Sequence, residues 1–163
     1  MNEKNCAVCK GKKVVQEPKS LTLDVVKGMA NNEKVIFERA GEQVPDMLQG
    51  DIVMVVKQEP HSVYKRVQDN LYMNINISLK EALFGYSGQF THLDGHKYDV
   101  ASAFNKVTQA FSWNIIANEG MPVKNQDNKF GDLHVKIMVD FPTKLTQKQK
   151  ELVKLIFPED SDG

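Results

Sequence analysis

The chain has 163 residues, enough for one ordinary domain or two small ones with a real core. Its 21 basic and 21 acidic side chains cancel to a formal net charge of zero, and 41% of its residues are hydrophobic. That balance argues against the basic footprint of a nucleic-acid binder, and no apolar run is long enough to cross a bilayer.

No charged–apolar–small leader pattern opens the chain, so the sequence is expected to carry no address of its own. The first feature is "CAVCKGKK", Cys6 to Lys13. A redox CxxC needs its first thiol at a helix N-terminus, which lowers the thiol pKa. Gly11 is poor helix material and no apolar helical pattern follows. Two thiolates are also half of a tetrahedral zinc site, the rest to be supplied by histidine, carboxylate or another chain. Lys10, Lys12, Lys13 and Lys19 beside the pair read as a solvated surface.

From Val14 onward the sequence predicts short strands. "LTLDV" alternates, with Leu21, Leu23 and Val25 on one face and Thr22 and Asp24 on the other. "VIF", Val35 to Phe37, is short and apolar. "DIVMVV", Asp51 to Val56, is nearly continuous, which predicts a strand covered on both faces or packed at a groove. "LYMNINI" places Leu71, Met73, Ile75 and Ile77 inside and Tyr72, Asn74 and Asn76 outside. "SLKEALFG" predicts a short helix with Ser78 as N-cap, Glu81 as capping-box partner and Gly85 as its stop. His92 and His96 flank the turn "LDG", which sets them at a hairpin mouth and reads as a pair of surface histidines. "LHVKIMV" repeats the alternation with Leu133, Val135, Ile137 and Val139. "LTQKQKELVKLIFP" predicts a last helix, with Thr146 and Gln149 as its capping box and Pro158 ending it.

These elements predict a mainly β, sandwich-like fold with short helices and a C-terminal helix. "GDIVMVV" and "GDLHVKIMV" are alike, each a Gly-Asp turn feeding an apolar strand. Two similar β modules in tandem explain that, with a boundary near Gln68–Asp69. There is no GxSxG, P-loop or HExxH, and Asp51 and Asp132 read as turn residues at strand starts. No residue set asks for an enzyme. Leu21 and Met54 are either core or the floor of a shallow apolar groove, a role that suits methionine's flexibility. Phe141, extended before Pro142, is either core or an interface anchor. The last helix either caps the domain or pairs with its copy in a dimer.

The ordered set "CAVCKGKK", "LTLDVVKGM", "GDIVMVV", "PHSVYKR", "NLYMNINISLKEALFG", "THLDGHK", "NEGMPV", "GDLHVKIMVDFP" and "LTQKQKELVKL" resembles the C-terminal substrate-binding region of the type I DnaJ co-chaperones, from Cys6 to Phe157. The resemblance implies the following division. Residues 1–13 are the remnant of a zinc-finger region, with Cys6 and Cys9 the last CxxCxGxG knuckle and half of a zinc site completed in the full-length protein. Residues 14–68 are an incomplete first C-terminal domain that binds peptide through Leu21 and Met54, where relatives often carry Phe in place of Met54. Residues 69–142 are the second domain. Residues 143–163 are the dimerisation helix and tail, with Phe141, Leu152, Leu155 and Ile156 at the homodimer interface.

The implied function is to bind unfolded polypeptide clients and deliver them to a DnaK-type chaperone ATPase, without enzymatic activity and without nucleic acid or membrane as partner. "THLDGHK" is most similar to the endoplasmic-reticulum members, which implies the lumen, with the cytoplasm as the alternative. The family usually has glycine at the positions of Asn32 and Gln68. Asn tolerates a left-handed backbone, so the Asn32 turn should survive, while Gln68 bears on the angle between modules. The rival readings are a CxxC thiol oxidoreductase and a dimeric β scaffold that binds no peptide.

Overall fold

The computed structural model describes Cys9, residues 14–102 and residues 106–157. In chain order the strands are β1 (Lys34–Phe37), β2 (Ile52–Val55), β3 (Lys65–Val67), β4 (Asn70–Ser78), β5 (Ser87–Thr91), β6 (Lys97–Ala101), β7 (Trp113–Ile116) and β8 (Leu133–Asp140). The helices are α1 (Leu79–Phe84), between β4 and β5, and α2 (Gln147–Ile156), after β8. The fold is mainly β, as the sequence predicts. β1 and β2 pair as one antiparallel sheet, β3-β4-β8-β7 form a second, and β5 and β6 form a third.

The core lies on one face of the four-stranded sheet. β4 presents Leu71, Met73, Ile75 and Ile77, none more than 4% exposed, and β8 presents Leu133, Val135 and Ile137, none more than 5%. Both alternations follow the sequence. β4 and β8 run parallel, with Leu71 opposite Leu133, Met73 opposite Val135 and Ile75 opposite Ile137, so the apolar rows stack in register. Parallel neighbours need a long crossover. Residues 79–132 supply it, and they also supply the lid: Ala82 of α1 and Tyr98 and Val100 of β6 are buried in the same cluster. Burial of each large side chain here stabilises the fold by about 1.5–3 kcal/mol.

The capping signals hold. The Ser78 hydroxyl accepts from the Glu81 N–H at 3.2 Å, the Glu81 carboxylate accepts from the Ser78 N–H at 2.8 Å, and Gly85 ends α1 with φ of 108°. Thr146 and Gln149 make the same reciprocal pair at α2. Pro158 lies outside the described residues.

A strap of residues 118–131 crosses the end of the sheet. The Gly120 N–H donates to Gly131 O at 2.8 Å, the Gly131 N–H to Met121 O at 3.0 Å, and the Met121 N–H to Asp69 O at 2.7 Å. A side chain on Gly131 would overlap the Asp69 carbonyl, so glycine is required for this approach. β3 pairs with β4 across the turn at Gln68 and Asp69, and Gln68 sits there with φ of 55°. Asn32 adopts φ of 64°, the left-handed turn expected of it.

Residues 14–63 pack differently. None of them is buried. "LTLDV" forms no strand: Leu21 and Leu23 are half-buried while Val25 is exposed, because among the described residues no strand pairs with this segment. An extended segment without a ladder partner leaves its backbone groups to water. Among the described residues β2 pairs only with β1, and "DIVMVV" is not covered on both faces. Ile52 and Met54 are half-buried and Val53 and Val55 are exposed. The Arg66 guanidinium ties this part to the sheet, donating to Met29 O at 2.8 Å and Gly28 O at 3.2 Å. An ion pair between Lys124 of the strap and Glu33 adds a second tie.

Candidate functional site

Three surfaces carry the residues singled out by sequence. The first is the β1–β2 hairpin. Met54 stands opposite Val35 on its half-buried face, and Ile36, Val53 and Val55 are exposed on the other. The loop between the strands is closed by the Gly41 N–H on Gly50 O at 2.9 Å and the Arg39 N–H on Asp51 Oδ1 at 2.8 Å, and it holds Met47 and Leu48 in the open. Asp51 is thus a turn residue, as read. Leu21 lies half-buried in the irregular segment ahead of β1 and is joined to Met54 by no strand pairing among the described residues. In a two-stranded sheet each strand has one unpaired edge. Such an edge can accept an extended peptide through backbone hydrogen bonds, with apolar side chains beside it giving loose preference.

The second surface is the C-terminal end. Phe141 follows β8 and is exposed, and α2 buries no residue. Leu152, Leu155 and Ile156 all face solvent, Leu155 at 79% exposure. An isolated helix this short is marginal in water even with a good cap. Its apolar side chains have something to gain from a partner surface.

The third surface is the mouth of the β5–β6 hairpin. The His92 N–H donates to His96 O at 2.8 Å, and Gly95 takes φ of 92° to close the turn. The strap brings Glu119 beside it. His92 Nε2 is 3.0 Å from Glu119 O, and His96 Nε2 is 2.9 Å from Glu119 Oε2. His96 Nδ1 is 2.6 Å from Asp94 Oδ1. The two rings stack with centroids 4.8 Å apart. The Asp94 carboxylate raises the His96 pKa, with the Glu119 charge adding to it. Asp94 is held below the usual carboxylate range by the His96 backbone N–H and then by the His96 side chain. Behind the pair, the Tyr98 hydroxyl meets the Tyr64 hydroxyl at 2.9 Å, and burial pushes the Tyr98 pKa well up.

The hairpin-mouth placement of His92 and His96 is as the sequence predicts, but His92 is not a surface residue: its side chain is only 9% exposed. The participation of Asp94 and Glu119 was missed. The alternating His-Leu-Asp-Gly-His spacing is the local signal for Asp94. Of the cysteine pair, Cys9 is half-buried and Cys6 lies outside the described residues. Two thiolates are half of a tetrahedral set, so the pair alone does not fit a structural zinc ion.

The family model for the DnaJ C-terminal domain matches residues 2–142. The chain belongs to the DnaJ C-terminal domain family. DnaJ protein homolog 1 of Allium porrum is 36% identical over 164 aligned positions, covering 100% of this chain and 41% of that protein. Chaperone protein dnaJ 2 of Arabidopsis thaliana is 36% identical, covering 94% of this chain and 37% of that protein. DnaJ protein ERDJ3B of Arabidopsis thaliana is also 36% identical, covering 96% of this chain and 44% of that protein. The chain therefore spans about two fifths of the length of these relatives. The family match ends at Pro142, ahead of α2, while the Allium porrum relative aligns over the whole chain. No helix among the described residues is long and apolar enough to cross a membrane.

Proposed function

We propose that this chain is the client-binding and dimerisation part of a DnaJ co-chaperone. It holds non-native polypeptide on the open β surface of its first module and presents it to a DnaK-type ATPase, a binding role rather than a catalytic one. The observation that carries this reading is the state of the β1–β2 hairpin in a chain of this family. Among the described residues its outer edges are unpaired, and it has a half-buried Met54 and exposed Ile36, Val53 and Val55.

Residues 14–68 serve as the first module and 69–142 as the second, with β3 the strand shared across the boundary. Leu21 and Met54 give the surface beside the edge its apolar character. Phe141, Leu152, Leu155 and Ile156 join two copies, and two surfaces in one assembly raise the affinity for long unfolded chains through effective concentration. The lumen of the endoplasmic reticulum is the proposed compartment, on the "THLDGHK" stretch, with the cytoplasm as the alternative. Zinc belongs to the full-length protein through Cys6 and Cys9.

Fluorescence anisotropy with a labelled, apolar-rich peptide tests the site. The Leu21→Ser/Met54→Ser variant should bind more weakly than the parent while keeping its circular dichroism, since neither residue is in the core. Equal binding by parent and variant would place the client elsewhere on the chain.

A further inference from the structure

We propose that His92, Asp94 and His96 form a binding site for a borderline divalent transition-metal ion of the zinc class. A carbonyl oxygen only accepts, so the proton of neutral His92 sits on Nε2, facing Glu119 O. Its Nδ1 then carries a lone pair. That atom is buried and has no hydrogen-bond partner, and it lies 3.5 Å from Asp94 Oδ1. Two acceptors this close repel, and the His92 side chain, only 9% exposed, has little water to satisfy its nitrogen. A cation between them removes the repulsion and satisfies the stranded nitrogen.

His96 differs in that its Nδ1 already has a partner: it shares a proton with Asp94 Oδ1 across 2.6 Å, and a metal ion would replace that proton. Its Nε2 is turned to the Glu119 carboxylate, which leaves Nδ1 on the Asp94 side. Metal-bound histidines commonly donate their second nitrogen to a carbonyl or carboxylate, which fixes the ring and raises its basicity. Glu119 supplies one of each, its main-chain oxygen to His92 and its side chain to His96. It is a positioning residue for both ligands.

The donor atoms of His92, Asp94 and His96 all lie within 4.8 Å of one another. A tetrahedral ion with bonds of about 2.0–2.2 Å puts its ligand atoms roughly 3.4 Å apart. The His92–Asp94 separation already matches, and Asp94 and His96, 66% and 42% exposed, are free to open their 2.6 Å bond. Two imidazoles and one carboxylate favour zinc-like ions over calcium or magnesium. Water would fill the remaining position. The bound ion would fix the two histidines in the orientation that lets them hydrogen-bond Glu119 of the strap.

The test is cobalt(II) titration of the full chain carrying Cys6→Ser and Cys9→Ser, so that thiolates cannot compete. One cobalt ion per chain should bind at micromolar concentration, with visible d–d absorption and no sulfur charge-transfer band. Zinc should displace it and shift the Nδ1 resonances of His92 and His96. His92 is buried and its replacement risks misfolding, so the ligand variants are Asp94→Asn and His96→Gln, both exposed. Each should abolish the absorption, and Glu119→Gln should weaken binding by about 10–100-fold. No cobalt uptake by the parent, or equal uptake by Asp94→Asn and His96→Gln, would overturn the proposal and leave a proton as the occupant.

Discussion

Two stretches of similar pattern, Gly50 to Val56 and Gly131 to Val139, each a Gly-Asp turn feeding an apolar strand, meet different fates. The first yields β2, a short strand with one partner and no buried side chain. The second yields β8, a longer strand held between β4 and β7, with Leu133, Val135 and Ile137 sealed from water. Both enter through Gly-Asp and both are rich in valine and isoleucine. The difference lies in what stands beside and above them. A strand's apolar pattern states which face seeks cover, and the neighbours decide whether it is found. The packed module is therefore the scaffold. The open one keeps apolar surface and strand edges available, as the client-binding proposal requires.

The largest effect should come from breaking the packed half. Leu133→Ala should cost about 2–5 kcal/mol of stability, the usual range for truncating a buried leucine. Val53→Ala on the exposed face of β2 should stay within about 0.5 kcal/mol. Urea unfolding of both variants makes the comparison, and equal losses would remove the distinction between the halves.

A second test acts at the C-terminal end. Leu155→Asp with Ile156→Asp puts charge into the proposed interface, where central anchors are worth about 2 kcal/mol or more. Sedimentation should shift from dimer to monomer, while the urea transition of the core holds, because neither residue belongs to it. Unchanged sedimentation would remove α2 from the interface. A smaller effect is expected at the turn between β3 and β4. Gln68 holds φ of 55° without glycine's freedom. Gln68→Gly should raise stability by up to about 1 kcal/mol, since a left-handed backbone costs about that for most side chains.

The parts of the fold that were legible are those written in local pattern. Leu71, Met73, Ile75 and Ile77 alternate with polar neighbours, and Ser78 stands three residues before Glu81, so face and cap follow from spacing alone. Strand direction is not encoded there. A period of two is the same for parallel and antiparallel partners, and the parallel pairing of β4 with β8 emerges only from the crossover. "LTLDV" shows the converse failure. Its alternation is real, yet a strand needs a partner, and no described strand lies alongside it. The hairpin mouth was half legible. His92 and His96 are close in sequence, but Glu119 reaches them only because Gly120 and Gly131 let the strap pass close to Asp69.

The finest test asks how far the two halves depend on each other. Lys124 of the strap pairs with Glu33, just ahead of β1, and this bond to Lys124 is the first cause of the lowered Glu33 pKa, ahead of the Ala30 N–H. A carboxylate whose folded pKa is depressed adds stability above its ordinary value of 4.5, and that contribution is lost as pH falls through the folded pKa. Lys124→Ala should therefore weaken the docking of the first module at neutral pH, and the deficit should fade below pH 4.5. Both side chains are partly exposed, so the global urea transition should barely move. Limited proteolysis reports the local change: cleavage between residues 14 and 63 should quicken at pH 7 while the core fragment stays intact. Parallel loss of both regions would mean that the packed half leans on the open one, and that the first module is part of the scaffold rather than a surface carried by it.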